Sequence, residues 1–294
     1  MMNIEEIRDR LKLNPEPPEI EYIRNKITEA FKDIVFYPEP HKYFLSHEDG
    51  TQEELECVSN MAGRFVPEDD WDAIAERYAK KHNTTKELVQ REWKIKNITS
   101  TTRGTAVHLA GENYNYFYRD RLDLIDPIIK PQIQDGWFIP LEGKQEAAQQ
   151  FNEDVFNTPN VYPVMPETQV YTKEFKKGNN YAGTFDILFA YKMPTGDFKL
   201  AIWDYKTNEA LEKPYSHSAR KMLLPPFDDL YDEPLSHYIL QLNLYQIALE
   251  NIGFEIIDRR IVWLHSNGSY DKIPLPDITK RLRKVLMTME YEKP

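Results

Sequence analysis

Two segments constrain this chain more than any others: "YAGTFDILFAYK" (181–192) and "FKLAIWDYKTN" (198–208). Each is a near-continuous apolar run of strand length, and each carries a carboxylate within it, Asp186 and Asp204. The joint between them, "MPTGD", is short and turn-like, so the two segments are expected to pair antiparallel. A third strand, "PETQVYTKEF" (166–175), precedes them across "KKGNN" and completes a three-strand meander. An ionised carboxylate inside such a strand faces a heavy desolvation cost unless a cation or hydrogen bonds compensate it. In an antiparallel pair, the end of one strand lies beside the start of the next. One register therefore brings Asp186 beside Asp204. Two carboxylates so close repel, unless a divalent cation sits between them. Hard oxygen ligands suit Mg²⁺ or Mn²⁺. Lys206 follows Asp204 by two residues and so points to the same side of the strand.

Helical periodicity flanks the meander. Before it, "PEIEYIRNKITEAFKDI" (18–34) places Ile20, Ile23, Ile27, Phe31 and Ile34 on one face. "IVFYPEPHKYFL" and "EDGTQEELECVS" read as extended pieces joined by a turn at Asp49-Gly50. Two helices are expected over "PEDDWDAIAERYAKKH" and "TTKELVQREWKIKN", a third over 105–119, then a loop over 122–145 and a helix over "KQEAAQQFNEDVF". After the meander come a long polar connection (209–234), a helix ending at Gly253, a strand "RRIVWLHS" and a final helix "DITKRLRKVLMTMEYE". The chain reads as α/β. Residues 1–98 form a mainly helical region carrying a hairpin, and residues 99–294 form the core.

Further polar residues fall at positions that chemistry can use. His108 and Glu112 are four apart on the 105–119 helix and share a face. Gln241 and Tyr245 repeat that spacing on the later helix, and Glu167 opens the first strand. Each spacing is common in proteins, and only their combination carries weight.

That combination resembles the PD-(D/E)XK nuclease superfamily, in particular its RecB-like exonuclease branch. The motifs are Gly104-Thr105-Ala106-Val107-His108, Gly183-Thr184-Phe185-Asp186, Asp204-Tyr205-Lys206 and Gln241-Leu242-Asn243-Leu244-Tyr245, in the family's order. The resemblance covers about residues 100–265. It implies a restriction-endonuclease-like core of helices, antiparallel three-strand meander, helix, strand and helix. It also implies a metal-dependent DNA exonuclease of recombination, repair or phage replication. His108, Asp186, Asp204 and the Tyr205 carbonyl would ligate one or two Mg²⁺ or Mn²⁺ ions, with Glu112 and Glu167 as further candidates. Lys206 would orient and help to deprotonate the attacking water. Gln241 and Tyr245 would hold DNA or Lys206, with Arg103, Lys176 and Lys177 as additional DNA contacts. Two other readings stand beside it: a non-catalytic DNA-binding or scaffold module on the same fold, and a DNA endonuclease.

Composition narrows these readings. A single cysteine, Cys57, excludes the iron–sulfur clusters of some RecB-like nucleases. The net charge of −11 opposes general attraction to nucleic acid, so DNA contact would be confined to a groove or aided by a protein partner. The basic stretches, Lys80 to Lys96, Lys173 to Lys177 and "KRLRK" (280–284), are candidate phosphate contacts, although such runs are usually solvated faces. Residues 1–98 would cap a substrate channel that requires a free DNA end. No apolar run is long enough to span a membrane and no secretion signal is seen, which suggests the cytoplasm of a bacterial or phage-infected cell.

Overall fold

Helices cover both faces of an open, mixed sheet. The computed structural model describes residues 3–13, 15–126, 132–134, 137–139, 141, 143–176, 178–211 and 221–290. In chain order these form α1 (Ile4–Leu13), α2 (Pro18–Ala30), β1 (Ile34–Tyr37), β2 (Lys42–Ser46), β3 (Gln52–Cys57), α3 (Val58–Gly63), α4 (Trp71–His82) and α5 (Lys86–Tyr118). Then follow β4 (Gln132–Gln134), β5 (Trp137–Ile139), α6 (Lys144–Phe156), β6 (Val161–Tyr171), β7 (Tyr181–Lys192), β8 (Phe198–Lys206), α7 (Pro234–Asn251), β9 (Ile256–Leu264), β10 (Tyr270–Pro274) and α8 (Thr279–Thr288). Among the described residues, eight strands share one sheet in the order β1-β2-β3-β7-β8-β9-β10, with β6 also on β7; β4 and β5 pair separately. The β3–β7 and β8–β9 pairs are parallel and the others in the sheet antiparallel.

The central strands bury both faces, which is why their sequences run apolar without alternation. Ile187, Phe189, Ala201, Trp203 and Tyr205 pack against Val107 of α5 and Ala147, Ala148 and Phe151 of α6. Leu188, Ala190, Leu200 and Ile202 enter the larger cluster with α2, α3, α7 and α8. No helix among the described residues is long and apolar enough to cross a membrane.

Several elements differ from the sequence expectation. Helix α2 stops at Ala30, where the Phe31 N–H closes on the Ile27 carbonyl, and Ile34 enters β1 instead. The two helices expected over 84–97 and 105–119 are one, α5. The polar run "NITSTTRG" is a weak helix former, but α5 is held at both ends. Val89 packs with Ala75 and Ala79 of α4, and Ala106, Val107, Ala110 and Gly111 are buried against the body of the protein. Tertiary packing overrides local propensity here. Helix α5 also runs unbroken through residues 98 and 99, the expected division of the chain. The 122–145 loop contains a helical turn and the β4–β5 pair. Strand β6 spans Val161–Tyr171 instead of 166–175, because Thr172 and Tyr181 already close the hairpin. Within the 209–234 connection, residues 212–220 lie outside the described residues. The structure adds α1, α3, a β1–β2 pair and β10.

Candidate metal centre

The site lies where β7 and β8 part. Their pairing runs from Lys192↔Phe198 to Ile187↔Trp203 and stops one step before Asp186 and Asp204. Strand β8 stays with β9 through Lys206↔Trp263. Strand β6 holds the opposite edge of β7, from Tyr191 back to Ala182. Strand β3 joins β7 only at Tyr181 and Ala182, on the edge that β8 has left. Residues 183–186 therefore face a fork in the sheet.

Asp186 sits at the base of that fork. Its Oδ2 accepts the Tyr205 N–H at 2.5 Å, so a side chain supplies a rung where the main-chain ladder has ended. Its Oδ1 meets Nδ1 of His108 at 3.0 Å. From the other side comes Glu167 of β6, between the pairs Pro166↔Ile187 and Thr168↔Phe185. Its φ of +44° is in the left-handed region, which non-glycine residues seldom adopt. One ligand atom each from His108, Glu167 and Asp186 lies within 4.8 Å of the others. Glu167 is thus within β6, not at its start, and belongs to the cluster.

Asp204 is turned to a different partner. It is buried, and its Oδ2 forms an ion pair with Lys206 Nζ. That oxygen accepts no hydrogen bond of good geometry among the described residues. Lys206 Nζ also lies 4.5 Å from the centre of the Tyr238 ring on α7. Glu112 stays outside the trio, one turn from Tyr116 along α5, and burial raises its carboxyl above the usual range.

Burial dominates the electrostatics, and the neighbours decide its outcome. Burial opposes the His108 charge, but Asp186 outweighs it and raises the imidazole to about 9. Burial, with Asp186 next to it, pushes Glu167 up to about 8. Asp186 goes the other way: burial would raise it, and His108 beside it holds it down. Asp204 is raised by burial and by Asp186. Lys206 is raised although burial disfavours its charge, because Asp204 faces it. The pattern is that of a crowded set of acids short of positive charge.

The remaining expected residues are dispersed over the fold. Gln241 Nε2 donates to the Tyr245 hydroxyl at 3.1 Å. Tyr245 is buried against Phe185 and Gly183, where a Cβ would come within 2.8 Å of its ring. These two residues back the β7 side of the fork. Arg103 is half-buried on α5, in the turns before His108. Lys176 is in the β6–β7 hairpin, roughly 20 Å along the strand from Asp186, and faces Glu290 at 3.9 Å. Lys177 lies outside the described residues. In "KRLRK", Arg281 and Arg283 are paired with Asp229 and Glu250.

The Tyr205 side chain is a packing element next to the site that the sequence did not reveal. It is buried between α5 and α6, and its hydroxyl accepts from Asn152 Nδ2 at 2.9 Å. A Cβ on Gly111 would lie 2.5 Å from its ring, so only glycine lets α5 approach β8 this closely. His108 sits one turn before that contact, and Asp186 accepts the Tyr205 N–H beside it. A glycine inside the helix, one turn after His108, was the available signal. Tyr238, two turns before Tyr245 on α7, could likewise have been read from helical spacing.

No protein-family model matches this chain, and no curated protein matches it either.

Proposed function

We propose that this chain is a divalent-cation-dependent deoxyribonuclease of the PD-(D/E)XK class, RecB-like branch, that works from DNA ends. One observation carries the reading: the His108–Glu167–Asp186 cluster lies beside the Asp204–Lys206 ion pair at the fork between β7 and β8. The order α5, meander β6–β8, α7, β9, α8 supports a restriction-endonuclease-like core.

The donor set fits Mg²⁺ or Mn²⁺. It offers carboxylate oxygens with one imidazole nitrogen, and Asp204, buried beside it, contributes a further carboxylate that Lys206 pairs through Oδ2. His108, Glu167 and Asp186 would hold the ion, with Asp204 and the Tyr205 carbonyl as further oxygen ligands. A bound cation supplies Lewis-acid charge to the phosphodiester and lowers the proton affinity of water there. Lys206 keeps its proton, because Asp204 stabilises the ammonium. Its part is therefore to place fixed positive charge where the phosphate becomes more negative, in a site from which water is largely excluded. The Asp186 bond to the Tyr205 N–H keeps the two strand ends at a constant separation while this happens.

The substrate would be DNA with a free end, in the cytoplasm of a bacterial or phage-infected cell, with a protein partner offsetting the acidic surface. Incubation with end-labelled linear DNA and Mg²⁺ or Mn²⁺ tests the reading. Cleavage that needs metal and disappears in Lys206→Ala is expected. Absence of cleavage, or cleavage unchanged in Lys206→Ala, refutes it. Cutting of closed circular DNA would move the assignment to an endonuclease.

A further inference from the structure

Arg119 is a half-buried cation that pairs with no carboxylate among the described residues. It caps the end of α5, and its Nε is shielded from solvent with no hydrogen-bond partner among the described residues. Other arginines around this corner are committed. Arg24 of α2 pairs with Glu16 at 3.0 Å and donates from Nε to the Val164 carbonyl. Arg121 pairs with Asp123, and Arg8 with Asp120. Arg119 alone pairs with none of these carboxylates. Burial lowers its proton affinity and Arg24 lowers it further, to about 10, with Glu16 only partly offsetting them. A guanidinium buried against a like charge is costly to keep unless something negative joins it.

Its position links it to the metal centre. His108, Glu112, Tyr116 and Arg119 follow at i, i+4, i+8 and i+11, a single stripe along α5. Arg119 is therefore about 16 Å along the helix from His108. Strand β6 makes the same connection, since Val164, at the arginine corner, is three residues before Glu167. Pairing slips between Pro163 and Met165, leaving the Val164 carbonyl for Arg24.

We propose that Arg119, supported by Arg24, binds a phosphate group of the nucleic-acid strand whose scissile bond lies at the metal centre, a few nucleotides away. The identity of the ligand rests on the nuclease reading; the anion site itself rests on the Arg119 Nε, shielded from solvent with no acceptor among the described residues. A planar guanidinium matches two phosphate oxygens, and such charge-assisted pairs are strong.

Two measurements test the proposal, both in EDTA so that no cleavage is needed. The first is thermal melting in inorganic phosphate against chloride at equal ionic strength. The second is binding of a fluorescent single-stranded oligonucleotide over a range of salt. Arg119→Met should abolish the phosphate-dependent rise in Tm and weaken oligonucleotide binding about tenfold. It should also lower the salt slope by about 0.7, one phosphate contact. Without phosphate, Arg119→Met should melt at or above the wild-type temperature, because it removes a buried unpaired charge; a structural arginine would behave oppositely. Arg119→Lys should keep part of the phosphate response. Unchanged oligonucleotide affinity and salt slope in Arg119→Met would overturn the site, as would a lower Tm with the phosphate response intact. If the wild type cuts no DNA but shows a phosphate shift that Arg119→Met loses, the nuclease reading falls and the anion site stands. If the wild type cuts DNA and Arg119→Met binds it equally well, the anion site falls alone.

Discussion

His108 on α5 and Asp186 on β7 are far apart in sequence and meet at 3.0 Å through Nδ1 and Oδ1. Without an ion, that contact is satisfied by a proton: Asp186 keeps the imidazole charged up to about 9, and Glu167 next to them holds its own proton up to about 8. A cation must displace these protons. Binding of Mn²⁺ is therefore expected to strengthen from pH 6 to pH 9, by up to about tenfold per pH unit for each proton released. Calorimetry in buffers of different ionisation enthalpy would count the protons. Affinity independent of pH would remove both groups from the ligand set.

The same proton affinities act on folding in the metal-free protein. Both groups bind protons more tightly folded than unfolded, so each favours the folded state at low pH and loses that contribution as pH rises. For Glu167 the loss runs from about 4.5 to 8, and for His108 from about 6.5 to 9. Tm should fall across pH 5 to 9, and Glu167→Gln should flatten the lower part of the fall. A Tm that climbs over this range contradicts the assignment.

Lys206→Ala should abolish nuclease activity and also destabilise the protein. It leaves Asp204 buried without its cation, which costs about 3–5 kcal/mol. Asp204→Asn combined with Lys206→Met should recover most of the stability and none of the activity. Denaturant melts beside a cleavage assay separate the two effects. Equal stability of Lys206→Ala and wild type would mean that the ion pair contributes little.

Gly111→Ala tests how α5 is seated on β8. The new methyl would meet the Tyr205 ring, which Asn152 and the core hold in place. A loss of about 1–3 kcal/mol is expected, together with weaker metal binding, since His108 sits one turn away. Tyr205→Phe removes only the Asn152 bond and should cost about 1 kcal/mol with metal affinity kept. If Gly111→Ala binds metal like wild type, the seating does not control the site.

Lys144 holds the strand ends beyond the site. It is buried at the start of α6, and its Nζ donates to the carbonyls of Thr207 and Leu264 at 3.0 and 3.2 Å. Lys144→Met should lower stability by about 1–3 kcal/mol for each carbonyl left without a donor. Hydrogen exchange should speed up at the ends of β8 and β9. Unaltered exchange there would show that other groups secure those ends.

Strands β7 and β8 were legible because burial on both faces demands apolar residues throughout, so their two aspartates stood out. The position of Asp186 and Asp204 just beyond the last paired residues follows from the same turn that set the register. What was not legible depended on long-range contact. Glu167 looked like a strand opener because no local signal marks a left-handed residue within β6. Tyr205 looked important only for its carbonyl, since its ring matters through Gly111, nearly a hundred residues earlier. The continuity of α5 was hidden by a threonine-rich stretch that only packing at both ends overcomes. Strand β10 was missed because a short, largely exposed strand leaves little apolar pattern.

The fork has a consequence for the N-terminal strands. Strand β3 occupies the edge of β7 that β8 vacates, and β1 and β2 extend from it. A truncation before Val58 would bare the N–H and C=O groups of β7 beside Tyr181 and Ala182, an adhesive template for other chains. The shortened protein should precipitate or form soluble aggregates on expression, since it loses both the β3 cover of that edge and the α2 side chains of the core.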